Sequence, residues 1–113
     1  MTERTPLPNL RVGLTVPVEF KNQKFDVTYN FDGEGIVREA FMRATKEGND
    51  ISSLLTDGCI AVSLLLQHGM TMEALSKAFG EDRGEGQALG PPSSALGAIA
   101  RAGAIIDSKG KTA

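Results

Sequence analysis

Alternation of apolar and polar residues dominates the first third of the chain and predicts a β-hairpin. Apolar residues recur at every second position over residues 14–20 and again over residues 25–31, which is the period of a strand with one buried face. The polar residues 21–24 between these segments favour a turn. Because Pro17 has no backbone N–H, the first strand is expected at an edge of its sheet.

A third strand is predicted over residues 36–43, immediately after the turn-forming residues 32–35, which include two glycines. Residues 38–43 also suit a helix, but two strands alone make a marginal sheet and therefore favour a third. The sequence thus predicts an α+β fold, in which an antiparallel three-stranded sheet, a hairpin plus one strand, packs against two to three helices.

Helical periodicity replaces this alternation after residue 48. Asn49 or Asp50 can cap a long helix that is expected to end near His68. Apolar residues surround most of this helix, and they are Ile51, Leu54, Leu55, Cys59, Ile60, Ala61, Val62, Leu64, Leu65 and Leu66. A small domain can hardly cover a helix that is apolar on most sides, so burial at a subunit interface is expected.

Two shorter helices are predicted in the rest of the chain. The first is capped by Thr71 and ends near Phe79, and the second runs from Ala95 to Ile106. Between them, residues 80–92 contain four glycines and two prolines, a composition that predicts a flexible loop.

Length and composition limit the chain to one ordinary globular domain. With 113 residues, 41% of them apolar, and a formal net charge of −2, the chain is expected to hold an extended arm at residues 1–13, a single domain at 14–106 and a disordered tail at 107–113. No apolar run is long enough for a membrane span, and the net charge disfavours attraction to nucleic acid or lipid. A cytoplasmic protein is expected.

Few side chains with chemical reactivity are present. Cys59 is the one cysteine, so it cannot form an internal disulfide or a cysteine-rich zinc site, and its place in an apolar helix favours a small buried hydrophobe. His68 is the one histidine and is expected to cap a helix C-terminus. We predict no catalytic residue, no metal site and no cofactor, and we do not expect the chain to be catalytic on its own.

Two kinds of binding remain open. Self-association into a homodimer or other homo-oligomer would use the apolar surfaces of the long helix and the last helix, and the predicted interface residues are Ile60, Leu64, Ile99 and Gly103. The alternative is a regulatory module that binds a nucleotide or another small anion, for which the predicted positive charges are Arg83, Arg11 and Lys24.

Several short sequence blocks follow one another in a fixed order between residues 7 and 80. They are Leu7-Pro8, Arg11, Gly13-Leu14-Thr15, Gly35, Phe41, Lys46-Glu47-Gly48, Ile51-Ser52-Ser53-Leu54 and the run from Ala61 to Met70. Their order and spacing resemble the C-terminal region of class II, adenosylcobalamin-dependent ribonucleotide reductases, often called the TSCPD domain. The Thr-Ser-Cys-Pro-Asp signature is not intact, because the best-matching stretch, from Ser93, has Ala95 in place of the cysteine.

The resemblance implies an accessory or interaction domain. Reduction in this family depends on a cysteine radical and a redox-active cysteine pair inside a large barrel, and a chain of 113 residues with one cysteine supplies neither. A ribonucleotide reductase or another nucleotide-related protein is therefore an expected partner, beside a second copy of the chain.

Overall fold

The computed structural model describes residues 12–44, 50–81 and 90–112. Its elements, in chain order, are β1 (Val12–Phe20), β2 (Gln23–Phe31), β3 (Val37–Ala44), α1 (Asp50–Gln67), α2 (Met72–Ala78) and α3 (Ala95–Thr112). The strands form one antiparallel sheet in the order β1-β2-β3. This confirms the predicted α+β class, with a hairpin plus one further strand and three helices.

The hairpin between β1 and β2 closes through a two-residue turn. Lys21 and Asn22 have φ values of 46° and 65°, which match the primed turns whose twist suits a hairpin. The turn is shorter than the predicted polar break, because Gln23 and Lys24 already pair with β1. Pro17 lies in an edge strand, as predicted.

The alternating apolar residues of the strands point to one face of the sheet, where the helices cover them. Val18, Phe25, Val27, Tyr29 and Ala40 are buried there. The Tyr29 hydroxyl donates a hydrogen bond of 2.6 Å to a main-chain carbonyl oxygen of α3, and this bond fixes α3 over the middle strand.

An irregularity in β3 frees Arg38 from regular pairing. Asn30 is opposite Glu39 but Phe31 is opposite Val37, so Arg38 is the extra residue of a β-bulge. Its guanidinium Nη1 donates to the carbonyl oxygens of Leu66 and Met70, both at 2.9 Å. Leu66 lies in the last turn of α1 and Met70 follows its C-terminal end, so these bonds attach that end of α1 to the sheet.

Asp32 holds the turn between β2 and β3. Its carboxylate accepts the backbone N–H of Glu34 at 2.9 Å and of Ile36 at 3.1 Å, and it pairs with Arg38 at 3.2 Å. Partial desolvation raises the pKa of this carboxyl group, but the two backbone bonds and the Arg38 guanidinium outweigh it and lower the pKa. The same carboxylate therefore shapes the turn and orients the arginine that holds α1.

The last helix is longer than predicted. α3 continues to Thr112, so the expected disordered tail after Ile106 is corrected for residues 107–112. The Asp107 carboxylate accepts the backbone N–H of Val37 at 2.9 Å, and this bond to the start of β3 anchors the extra turns. A polar composition alone does not reveal such a contact.

The ends of the predicted flexible loop are held together. Glu81 and Pro92 form an antiparallel bridge, and the backbone N–H of Ser93 donates to the carbonyl oxygen of Gly80 at 3.0 Å. The prediction for residues 82–89 lies outside the described residues, as does the prediction of an arm up to residue 11. None of the helices within the described ranges is long and apolar enough to cross a membrane.

Candidate interaction surface

The helix α1 lies along the free edge of β3 and turns polar side chains toward it. The Ser63 hydroxyl accepts the backbone N–H of Ala40 at 3.0 Å and donates to the carbonyl oxygen of Ala40 at 3.1 Å. The Gln67 side chain donates to the carbonyl oxygen of Arg38 at 3.3 Å. Ser63 and Gln67 are both buried, and their bonds satisfy strand groups that have no strand beyond them to pair with.

The apolar residues that α1 contributes to the core form a narrow stripe. Leu55, Cys59, Val62 and Leu66 recur at intervals of four, three and four residues and are at most 6% exposed. Residues at this spacing lie on one face of a helix. The core therefore uses only part of the apolar surface of α1.

Three large aliphatic residues of α1 face solvent. Leu54 is 73% exposed, Ile60 48% and Leu64 40%, and Ala61 and Asp57 lie exposed among them. We call these five residues the outer face of α1. An ordinary surface helix buries its apolar side and exposes its polar side, whereas α1 buries Ser63 and Gln67 and exposes three large aliphatic side chains.

The predicted interface residues separate into two groups. Ile60 and Leu64 belong to the outer face of α1, where they are available to another chain. Ile99 is only 1% exposed, and a Cβ atom added at Gly103 would lie 2.9 Å from Met72 Cγ and 3.0 Å from Tyr29 Cε1. These two residues of α3 therefore lie within the core of the protomer itself.

Of the residues predicted to bind an anion, the structure describes Lys24 alone. Arg83 and Arg11 lie outside the described residues. Lys24 is exposed at the turn end of the hairpin, opposite Glu19. In the described part of the chain, no group of histidine, cysteine and acidic side chains is placed to hold a metal ion.

Cys59 has the environment of a structural residue. It is 1% exposed in the core between α1 and the sheet, and desolvation by burial raises the pKa of its thiol to about 11. A thiol with such a pKa stays protonated at neutral pH, and it is the thiolate that acts as a nucleophile or metal ligand.

A groove on the uncovered face of the sheet was not predicted from the sequence. Its volume is about 410 Å³, and its lining residues are Thr15, Asp26, Thr28, Phe41, Met42 and Arg43. The hydroxyl oxygens of Thr15 and Thr28 lie 2.7 Å apart and bond to each other, and Asp26 is directly opposite Arg43 in the strand register. The polar side chains of the groove therefore already lie beside a hydrogen-bonding partner or a residue of opposite charge within the protein.

The buried polar residues of α1 were not predicted either, since the sequence pattern presents them as interruptions of an apolar helix. Their spacing of four residues places Ser63 and Gln67 on one face, and this is the signal that could have indicated a polar contact. The strand edge that they bind becomes visible only when α1 and β3 are packed together.

Comparison with known proteins assigns the chain to a family. The family model of the TSCPD domain matches residues 3–102. The chain belongs to this family. The match confirms the resemblance predicted from the sequence blocks, and it includes the whole of α1, so the outer face of α1 is part of the TSCPD domain.

One curated relative is a vitamin B12-dependent ribonucleotide reductase of Agrobacterium fabrum (strain C58 / ATCC 33970). It is 34% identical to this TSCPD domain over 77 residues, which are 68% of this chain and 6% of that protein. The chain thus spans a small fraction of the length of that reductase. No solved structure gives a significant match.

Proposed function

We propose that this TSCPD domain is a non-catalytic association module that pairs with a second copy of itself through the outer face of α1. The observation that carries the proposal is the distribution of polar and apolar side chains around α1. The helix buries Ser63 and Gln67, whereas Leu54, Ile60 and Leu64 are exposed. Moving a large aliphatic side chain from water into an apolar contact gains roughly 1.5–3 kcal/mol. Association would recover this free energy, which the isolated protomer forgoes.

A second copy is the occupant that these observations favour. A two-fold pair brings the same patch of each protomer together, so an apolar face meets an equally apolar face without a further component. The outer face of α1 also carries a single charged residue, Asp57, which leaves its centre suited to apolar contact.

The state of Cys59 supports a role without nucleophilic chemistry. Its thiol is buried in the core and its pKa is raised to about 11. A thiol that works as a nucleophile has a lowered pKa and access to its substrate, and Cys59 has neither property.

Family membership supports an accessory role beside a ribonucleotide reductase. The similarity to the Agrobacterium fabrum reductase covers 6% of that protein, so most of that protein has no counterpart in the matched segment. We propose that the module serves such a reductase, or another nucleotide-related protein, by association. The alternative of nucleotide or anion binding gains no observation from the described residues, among which Lys24 is the one predicted positive charge.

Sedimentation equilibrium of the purified chain tests the proposed function. The wild-type protein is expected to exceed its monomer mass of 12.0 kDa at micromolar concentration, and Leu64→Lys is expected to be a folded monomer. Ile105→Lys is the matched control, because Ile105 is 52% exposed on α3 and receives the same charge on a different helix.

A wild-type mass of 12.0 kDa at all concentrations would overturn self-association. A dimer that survives Leu64→Lys but not Ile105→Lys would move the interface from α1 to α3. Circular dichroism of each variant ensures that a lower mass reports dissociation and not unfolding.

A further inference from the structure

The outer face of α1 continues as a regular seam along the helix. Leu54, Asp57, Ala61, Leu64 and His68 follow one another at intervals of three, four, three and four residues. This is the spacing with which one helix packs along another. His68 keeps its place in the seam although α1 ends at Gln67, because its backbone N–H still donates to the carbonyl oxygen of Leu64 at 3.1 Å.

We infer that two copies of the chain pack their α1 helices antiparallel, about a two-fold axis that passes between Ala61 and Leu64. This inference rests on the proposed function and specifies its partner geometry. In this register Ala61 meets the partner's Leu64, and Asp57 meets the partner's His68. Each contact occurs twice because of the symmetry.

Charge selects the antiparallel arrangement over the parallel one. A parallel pair would place each seam residue opposite its own copy, so that Asp57 would meet the carboxylate of the partner's Asp57 at close range. Like charges at a contact are unfavourable, whereas a carboxylate and an imidazole can share a proton in a hydrogen bond. The two polar residues of the seam lie near opposite ends of it, and only a reversed direction brings them together.

Side-chain size at the centre of the seam favours the same register. Ala61 is small and exposed, so it allows the partner helix to approach closely, and the larger Leu64 opposite it fills the space. Ile60 lies at the margin of the contact, on the same side of the seam as the partner's Ile60. The centre of the pair is apolar, and its polar residues lie toward the two ends.

A charge-exchange experiment tests the register with the full chain. Asp57→Lys places a lysine opposite His68, and His68→Glu places a glutamate opposite Asp57, so each variant alone should dimerise about tenfold more weakly than the wild type. Mixed in equal amounts, the two variants form a pair in which the introduced lysine is opposite the introduced glutamate. In the same pair, the Asp57 retained by one variant is opposite the His68 retained by the other. The mixture should regain a dissociation constant within about threefold of the wild-type value.

Glu19→Lys is the matched control, because it makes the same kind of charge reversal at an exposed position on β1. The dissociation constants come from sedimentation equilibrium, and native mass spectrometry identifies the mixed pair by its mass. Recovery in the mixture, with an unaltered dissociation constant for Glu19→Lys, is the expected result.

Failure of the register and failure of the proposed function give different results. If Leu64→Lys abolishes the dimer but the mixture does not recover, α1 is the interface and the antiparallel register is wrong. If the wild type is monomeric, or Leu64→Lys still dimerises, the proposed function fails together with the register.

Discussion

The Ser63 hydroxyl bonds both backbone groups of Ala40, accepting its N–H at 3.0 Å and donating to its carbonyl oxygen at 3.1 Å. A free strand edge with unpaired backbone groups can pair with a strand of another chain. One side chain of α1 thus blocks such pairing at the middle of β3. It also determines which side of α1 faces the sheet, and hence which side faces solvent.

Replacing Ser63 with alanine should destabilise the domain by about 1–3 kcal/mol, because two buried backbone groups lose their partner. Urea denaturation measures the change in the free energy of unfolding. Ser53→Ala is the control in the same helix, since Ser53 is exposed and alanine favours a helix. Equal stability of the two variants would show that the edge of β3 does not depend on Ser63.

Substitution of Gly103 by alanine should also destabilise the domain, by a net of about 1–2 kcal/mol. The new Cβ atom would lie 2.9 Å from Met72 Cγ and 3.0 Å from Tyr29 Cε1, and the resulting overpacking outweighs the gain of about 1 kcal/mol in helix propensity. The Tyr29 ring cannot easily move, because its hydroxyl is bonded to Ile99.

Gly58→Ala is the control for Gly103, since there the new Cβ atom would meet the flexible methyl ends of Leu96 at 3.1 Å and 3.3 Å. We expect this variant to be as stable as the wild type or slightly more stable in the same urea titration. If both glycine variants behaved alike, the close packing of α3 on Tyr29 would be refuted.

The Cys59 thiol should react slowly with a disulfide reagent in the native protein and quickly in urea. With a pKa of about 11, only about one thiol in a thousand is ionised at pH 8, and burial blocks access as well. Cys59→Ala should keep the dimer and lower stability by about 1 kcal/mol or less. Similar reaction rates in native and denatured protein would contradict the buried position.

The stabilisation by Asp32 should depend on pH. Desolvation raises the pKa of this carboxyl group. The Ile36 and Glu34 amides and the Arg38 guanidinium lower the pKa by more than desolvation raises it, so the pKa is lower in the folded state than in the unfolded state. A lowered pKa stabilises the fold fully above the unfolded value of about 3.9, and the effect disappears as the pH falls through the folded value.

Asp32→Asn should therefore be less stable than the wild type at pH 7, by about 1 kcal/mol or less for an ion pair this exposed. The difference in the free energy of unfolding should shrink as the pH is lowered from 4 toward 3. A difference in the free energy of unfolding that grows on acidification would mean that folding raises the pKa of Asp32 and does not lower it.

The strands of the sheet could be predicted because their pattern is local. Successive residues from Phe25 to Phe31 lie alternately on the covered and the uncovered face of the sheet, and two glycines mark the turn before β3. The bulge at Arg38 could not be predicted, because it depends on the carbonyl oxygens of Leu66 and Met70, about thirty residues away in sequence.

The outer face of α1 could be predicted in part. The excess of apolar residues around the helix identified Ile60 and Leu64, and both are exposed. The predicted length of α3 was too short, because the helix is extended past Ile106 by the contact of Asp107 with Val37, 70 residues away in sequence. Ile99 and Gly103 were predicted at an interface because they belong to an apolar seam of α3, but they lie in the core of the protomer. Whether such a seam faces the core or a partner depends on tertiary packing, which the sequence pattern does not show.

The bridge between Glu81 and Pro92 has a practical consequence. It holds together the described residues on either side of positions 82–89, and the Gly80–Ser93 backbone bond and the Glu81–Arg101 ion pair at 3.5 Å reinforce it. Doubling the length of a segment closed in this way costs only about 0.6 kcal/mol. A fluorescent or affinity peptide can therefore be inserted between residues 82 and 89 as an internal tag, with both ends of the insertion anchored.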